Sequence, residues 1–216
     1  MTTKTLVIFA NSVKHKKHCV AGKDESTKQW IRPVSNVDGA ELTKEQTLTS
    51  NPYGTFPVKP MQKVIIDFCS HAPLINQPEN WLINQEHQWK QNYKINENQI
   101  KDFLDTPHTL WGESHKVDFN DIIINNNIKI EQSLYLVSVS NLRLYRNQDN
   151  KRKADFEYNC NKYINFSVTD PNFDDLVKNS ENGEVYFDSA YLCVSLGEKF
   201  SEDNHCYKIV AWIYVG

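Results

Sequence analysis

The stretch TLVIFANSVKHKKHCVAGK, residues 5–23, carries the pattern on which the whole chain is built. Its two apolar runs, TLVIFA and HCVAG, hold the β-branched and aromatic residues that suit a pleated, half-buried surface. Between them lies a polar segment with Lys14, Lys16, Lys17, His15 and His18 near a strand end. Moving outward, similar runs recur: QWIRPVS (29–35), KVIIDFC (63–69), SLYLVSVSNLRLYR (133–146), KADFEYN (153–159), KYINFSVTD (162–170), EVYFDSAYLCVSLG (184–197) and CYKIVAWIYVG (206–216). Several alternate apolar with polar residues, the period of a strand with one covered face. Gly, Asn and Asp punctuate them in NVDG, NPYG, NQDN, NCN, ENG and SEDN, where turns need left-handed backbone. FEYNCNKYINF (156–166) reads as a hairpin with a short Asn-containing loop and Tyr and Phe pairing across it.

Helical pattern is sparse. The spacing of Trp89, Tyr93, Ile100, Phe103 and Leu104 predicts a helix over 87–105, stopped by Pro107. A short helix is expected after Asp170, which would cap it, with Pro171 in its first turn and Asp174 and Asp175 favouring the macrodipole. The expected architecture is mainly β: a small barrel over residues 1–85, a partly helical connector over 86–130, and a second small barrel over 131–216.

A chain of 216 residues, 39% hydrophobic and 12% aromatic, buries a sizeable core. Its formal charge of −3 removes the argument from a strongly basic domain. The charge is segregated, however. Residues 11–35 carry six Lys/Arg against Asp24 and Glu25, a local +4, and residues 141–163 carry six against Asp149, Asp155 and Glu157, a local +3. The remainder therefore sums to −10, and a local positive field on an acidic protein becomes possible. The apolar run in MTTKTLVIFANS is too short for a secretory signal and lacks a small-residue cleavage pattern, and no run of eighteen apolar residues occurs, so a cytoplasmic protein without a membrane partner is expected. Five cysteines without C-x-x-C spacing point to reduced thiols.

Four groups of residues carry a resemblance. They are Asn11-Ser12, Lys14 and Cys19-Val20-Ala21-Gly22; Trp30 to Ser35 (WIRPVS); Pro78 to Ile83 (PENWLI); and Phe156, Tyr158 and Tyr163 followed by Val168-Thr169-Asp170-Pro171. Together they resemble the bacterial dual OB-containing domain family over most of the chain. Val13 is a departure, standing where relatives are expected to carry a basic residue, and it lowers the cationic character of the loop. The resemblance implies two tandem OB-type barrels and a role in nucleic-acid-associated or defence-related systems, with no established activity.

OB-type barrels bind single strands by tracking the backbone with positive charge while aromatic faces stack on bases. On that basis the candidate phosphate contacts are Asn11, Ser12, Lys14, Lys16 and Lys17, with Arg32 aimed by its stiff Ile31 and Pro33 neighbours and set beside Trp30. Arg146 and Arg152 would extend the footprint. Trp30, Tyr53, Trp81, Tyr145 and Tyr158 are the possible stacking platforms. The bland alternatives are a solvated basic surface and aromatics spent in the core.

His15, His18 and Cys19, or Cys69 and His71, are plausible zinc ligands, but their spacing matches no finger or ribbon. Nearby cations would activate the Cys19 thiol, yet no orienting acid or oxyanion hole is visible. Glu79 would brace a turn. Nucleotide-hydrolase and protease motifs do not occur. The expected function is a non-catalytic binder of single-stranded DNA or RNA without metal or cofactor, DNA versus RNA being left open. The alternative is a protein-interaction or nucleotide-ligand module of a multi-component bacterial, defence-type system.

Overall fold

The computed structural model describes residues 1–216 apart from 15, 16, 126, 127, 179, 181 and 182, with the backbone alone for Lys14. The chain is mainly β, with two closed five-stranded barrels and few helices. It divides into two compact units, Met1–Phe103 and Leu104–Gly216.

In the first unit, β1 (Thr2–Lys14), β2 (Lys17–Asp24), β3 (Trp30–Val34), β6 (Gln62–His71) and β7 (Asn80–Ile83) close the barrel in the order β1-β2-β3-β7-β6-β1. Of these five barrel-closing pairings, β3–β7 is parallel and the others antiparallel. A hairpin, β4 (Leu48–Asn51) with β5 (Gly54–Pro57), and a strand, β8 (Trp89–Lys94), extend the sheet beyond β6. Alternation explains the filling. Leu6 and Ile8 join Val20, Ile31, Val64, Ile66, Phe68 and Ile83 in the core. The intervening Val7 and Phe9 are equally buried, so the outer side of β1 is covered too. Gly22 is required here because a Cβ would come within 2.5 Å of the Val7 carbonyl oxygen.

The helix expected over 87–105 is absent, and the reason is a change of period within the segment. Trp89 enters the barrel core and Tyr93 is exposed, both on β8, which pairs with β6 and β4. The residues after it form a 3-10 helix, Glu97–Phe103, whose three-residue turn puts Ile100 and Phe103 on one buried side. Asn96 and Gln99 cap it reciprocally, each side-chain oxygen accepting from the other's backbone N–H. A four-residue spacing split between a strand and a 3-10 turn imitated a single helix.

The second unit repeats the barrel with β10 (Leu134–Arg146), β11 (Arg152–Tyr158), β12 (Asn161–Val168), β13 (Glu184–Lys199) and β14 (His205–Tyr214), closed in the order β10-β11-β12-β14-β13-β10. Again the third and fifth strands pair parallel. β9 (Lys116–Asp118) adds to the β14 edge and leads into α1 (Phe119–Ile123). The expected hairpin is present: Tyr158 faces Asn161 across Asn159 and Cys160, both at positive φ, and the Phe156 and Tyr163 rings stack at 5.5 Å. Consecutive left-handed residues match the right-handed twist of the strands.

The short helix after Asp170 is also present as α2 (Phe173–Val177), but its N-cap is Asn172. The Asp170 carboxylate instead accepts from the backbone N–H of Asn172 and of Ile213, tying the turn to β14. Burial pushes its carboxyl above the ordinary range, and those two donors pull it back. Asp170→Ala should therefore cost about 1–3 kcal/mol, because the buried Ile213 N–H loses its acceptor. An unchanged urea midpoint would show that the carboxylate anchors nothing.

Candidate nucleic-acid interface

In a barrel of this topology, the face of strands two and three and the loops between strands one and two and strands four and five receive oligonucleotides. In the first barrel that face is β2 and β3, and it is sealed by the barrel's own chain. Phe103 packs 5.4 Å from Phe9, whose ring meets Trp30 edge-on at 6.2 Å. Lys23 donates to the Phe103 carbonyl oxygen at 2.7 Å and lies over the Trp30 ring, while Lys28 lies over Phe103. Trp30 is thus a core residue. Arg32, expected beside Trp30 as a phosphate contact, is 9% exposed and pairs with Glu79 at 3.4 Å. Glu79 does brace, but as the counter-charge of an interior cation.

The rest of the N-terminal set is spread along the β1–β2 ladder. Asn11 donates to the Val58 carbonyl oxygen and holds His18 Nδ1 through its own side-chain oxygen, both at 2.8 Å. Ser12 is buried. Lys14 pairs with Lys17 in the ladder, and the Lys17 side chain is exposed. Lys16, His15 and the Lys14 side chain lie outside the described residues. Among the proposed platforms only Tyr53 stands open: Trp81 packs on His71, Tyr145 donates to Asp155, and Tyr158 donates to the Pro107 carbonyl oxygen.

The second barrel does bring Arg146 and Arg152 together. Both meet the carboxylate of Asp174 on α2 at 2.6 Å, one on each oxygen, and both lie over the Phe173 ring. Their charge is engaged at the helix. An open cleft lies elsewhere in this barrel, on the face of β11 and β12. There β12 pairs with β14 only at Ser167–Ile209 and Val168–Val210, after which His115 and β9 take over the β14 edge. The parting leaves a cleft of about 360 Å³.

Three lysines line it: Lys151 from the turn between the first two barrel strands, Lys153 from β11 and Lys208 from β14. Lys153 is 8% exposed and donates to the Asn165 carbonyl oxygen and to Ser167 Oγ, each at 3.2 Å. Lys208 is 1% exposed and donates to the Gly112 carbonyl oxygen at 2.7 Å. Phe200, from the loop between the last two strands and 41% exposed, meets Tyr207 edge-on across the cleft wall.

The profile of the dual OB-containing domain family matches residues 4–213. The chain belongs to the dual OB-containing domain family. No curated protein and no solved structure matches it. The dual OB architecture is consistent with a nucleic-acid-binding type of module. Among the described residues, no helix is long and apolar enough to cross a membrane.

The electrostatics of this dual OB domain single out the same cleft. Burial, then the neighbouring charges of Lys153, Lys116 and Lys208, lower the His115 pKa. Burial and Lys151 lower that of Lys153. Burial alone pulls Lys208 down to about 7. The nearby acids are engaged: Asp155 by Arg143, Tyr145 and the Asn165 N–H, and Asp203 by Lys116 and Tyr207. None of the three cleft lysines forms an ion pair among the described residues. One signal for Lys208 was available in CYKIVAWIYVG, where the lysine falls in phase with Cys206 and Val210 on the core-facing side. His115 left no such trace, because only the β9–β14 pairing brings it there.

Proposed function

We propose that this chain is a non-catalytic module for single-stranded nucleic acid, held through phosphate by Lys151, Lys153 and Lys208 and through a base stacked on Phe200. The observation that carries this reading is the contrast between the barrels. One covers its strand-two and strand-three face with its own 3-10 segment, whereas the other leaves a cationic, aromatic-rimmed cleft there. In this reading Lys17, exposed at the start of β2, is an accessory phosphate contact. A free mononucleotide is the second reading, favoured by the small size of the cleft.

Fluorescence anisotropy with short labelled DNA and RNA strands tests the proposal. Log K should fall linearly with log salt, by about 0.7 for each phosphate charge neutralised on a single strand. Lys151→Ala combined with Lys153→Ala should flatten that slope. Absence of binding at low salt for both strands would sink the reading.

A further inference from the structure

The charge on the second barrel is focal, and a focal charge does not suit a running backbone. Tracking internal phosphodiesters needs cations spaced along a path. Several cations that could mark such a path are tied up in ion pairs: Arg143 with Asp155 and Glu184, Arg146 and Arg152 sharing the one carboxylate of Asp174, Lys116 with Asp203. Three lysines without an ion pair among the described residues converge instead on one small cleft.

We propose that this cleft captures the terminal phosphate monoester of a single strand rather than its internal diesters. The inference rests on the strand-binding reading above and names the part of the strand that is held. An internal phosphodiester brings one negative charge, whereas a phosphate monoester brings about −1.5 to −2 at neutral pH and three strong acceptor oxygens. The donors match that demand. An ammonium group has three N–H donors. Lys208 uses one on Gly112, and Lys153 uses two on Asn165 and Ser167. Two donors of Lys208, one of Lys153 and the Lys151 ammonium remain to meet the oxygens. Two of these lysines are almost wholly buried, so a dianion reaching them sheds its water into a site already lined with donors. Phe200 at the rim offers the adjoining base its face.

The test uses the full chain and one oligonucleotide sequence in three forms: 5′-phosphorylated, 3′-phosphorylated, and hydroxyl at both ends. At least one phosphorylated form should bind about tenfold tighter than the hydroxyl form, as one added charge-assisted contact allows. That advantage should vanish in Lys151→Ala, an exposed position that does not threaten the fold, and in Lys153→Met, checked for folding by circular dichroism. Equal affinity for all three forms, with binding still weakened by the lysine variants, overturns end capture and leaves strand binding standing. An end preference that survives both variants overturns the assignment to this cleft. Failure of every form to bind at low salt removes the strand-binding reading as well.

Discussion

Arg32→Ala is expected to destabilise the first barrel by about 3–5 kcal/mol, the cost of leaving one member of a buried ion pair without the other. The guanidinium sits on β3 and the carboxylate just before β7, the two strands that pair parallel to close the barrel. The Arg32 N–H also donates to the Glu79 carbonyl oxygen, so the pair is fixed by backbone as well as by charge. Removing the arginine takes away the counter-charge that Glu79 meets in a nearly dry site. The double variant Arg32→Met with Glu79→Gln should recover much of the loss, since apolar or neutral replacements of buried pairs are often close to neutral. Urea unfolding read by tryptophan fluorescence is suitable, because Trp30 and Trp81 lie in this barrel. If Arg32→Ala left the unfolding transition unchanged and abolished oligonucleotide binding, the arginine would be a ligand contact after all.

That result bears on what the sequence could say. Strand identity was legible because it is local: FEYNCNKYINF contains its own turn chemistry and its own cross-strand aromatic pair, and both are found. The position of α2 was legible for the same reason. The fate of charge was not local. Within residues 11–35, Lys23 ends on the Phe103 carbonyl oxygen, Lys28 on the Phe103 ring and Arg32 on Glu79, partners 47 to 80 positions away. A charge count over a window sees the cations and misses the acceptors that return from elsewhere. The same blindness worked in reverse for the cleft. Lys151 and Lys153 stood in the counted window of the second barrel, but Lys208 reaches them from β14 and His115 from the residue before β9. Only the parting of β12 from β14 makes those four neighbours.

Lys208→Met should stabilise the protein in acid and lose that advantage in alkali. Burial lowers the folded-state pKa from 10.5 to about 7. Each tenfold change in proton affinity is worth about 1.4 kcal/mol, so the charged amine costs the folded state about 4–5 kcal/mol wherever it must be protonated. Between about 7 and 10.5 the unfolded chain holds a proton that the folded chain lacks, so stability rises with pH across that window. Below it the cost is paid in full, and above it the cost is gone. Methionine is uncharged throughout and similar in length. It forfeits the hydrogen bond to the Gly112 carbonyl oxygen, worth about 1 kcal/mol. The variant should therefore exceed the parent by about 3–4 kcal/mol at pH 6 and converge on it near pH 10, read as urea midpoints. A variant less stable than the parent at pH 6 would mean that the amine has a counter-charge or water in the folded state, and the cleft would lose its buried cation. A phosphate in the cleft supplies such a counter-charge from outside. Binding should then draw a proton onto Lys208, and the position that weakens the empty protein in acid becomes the one that grips the ligand.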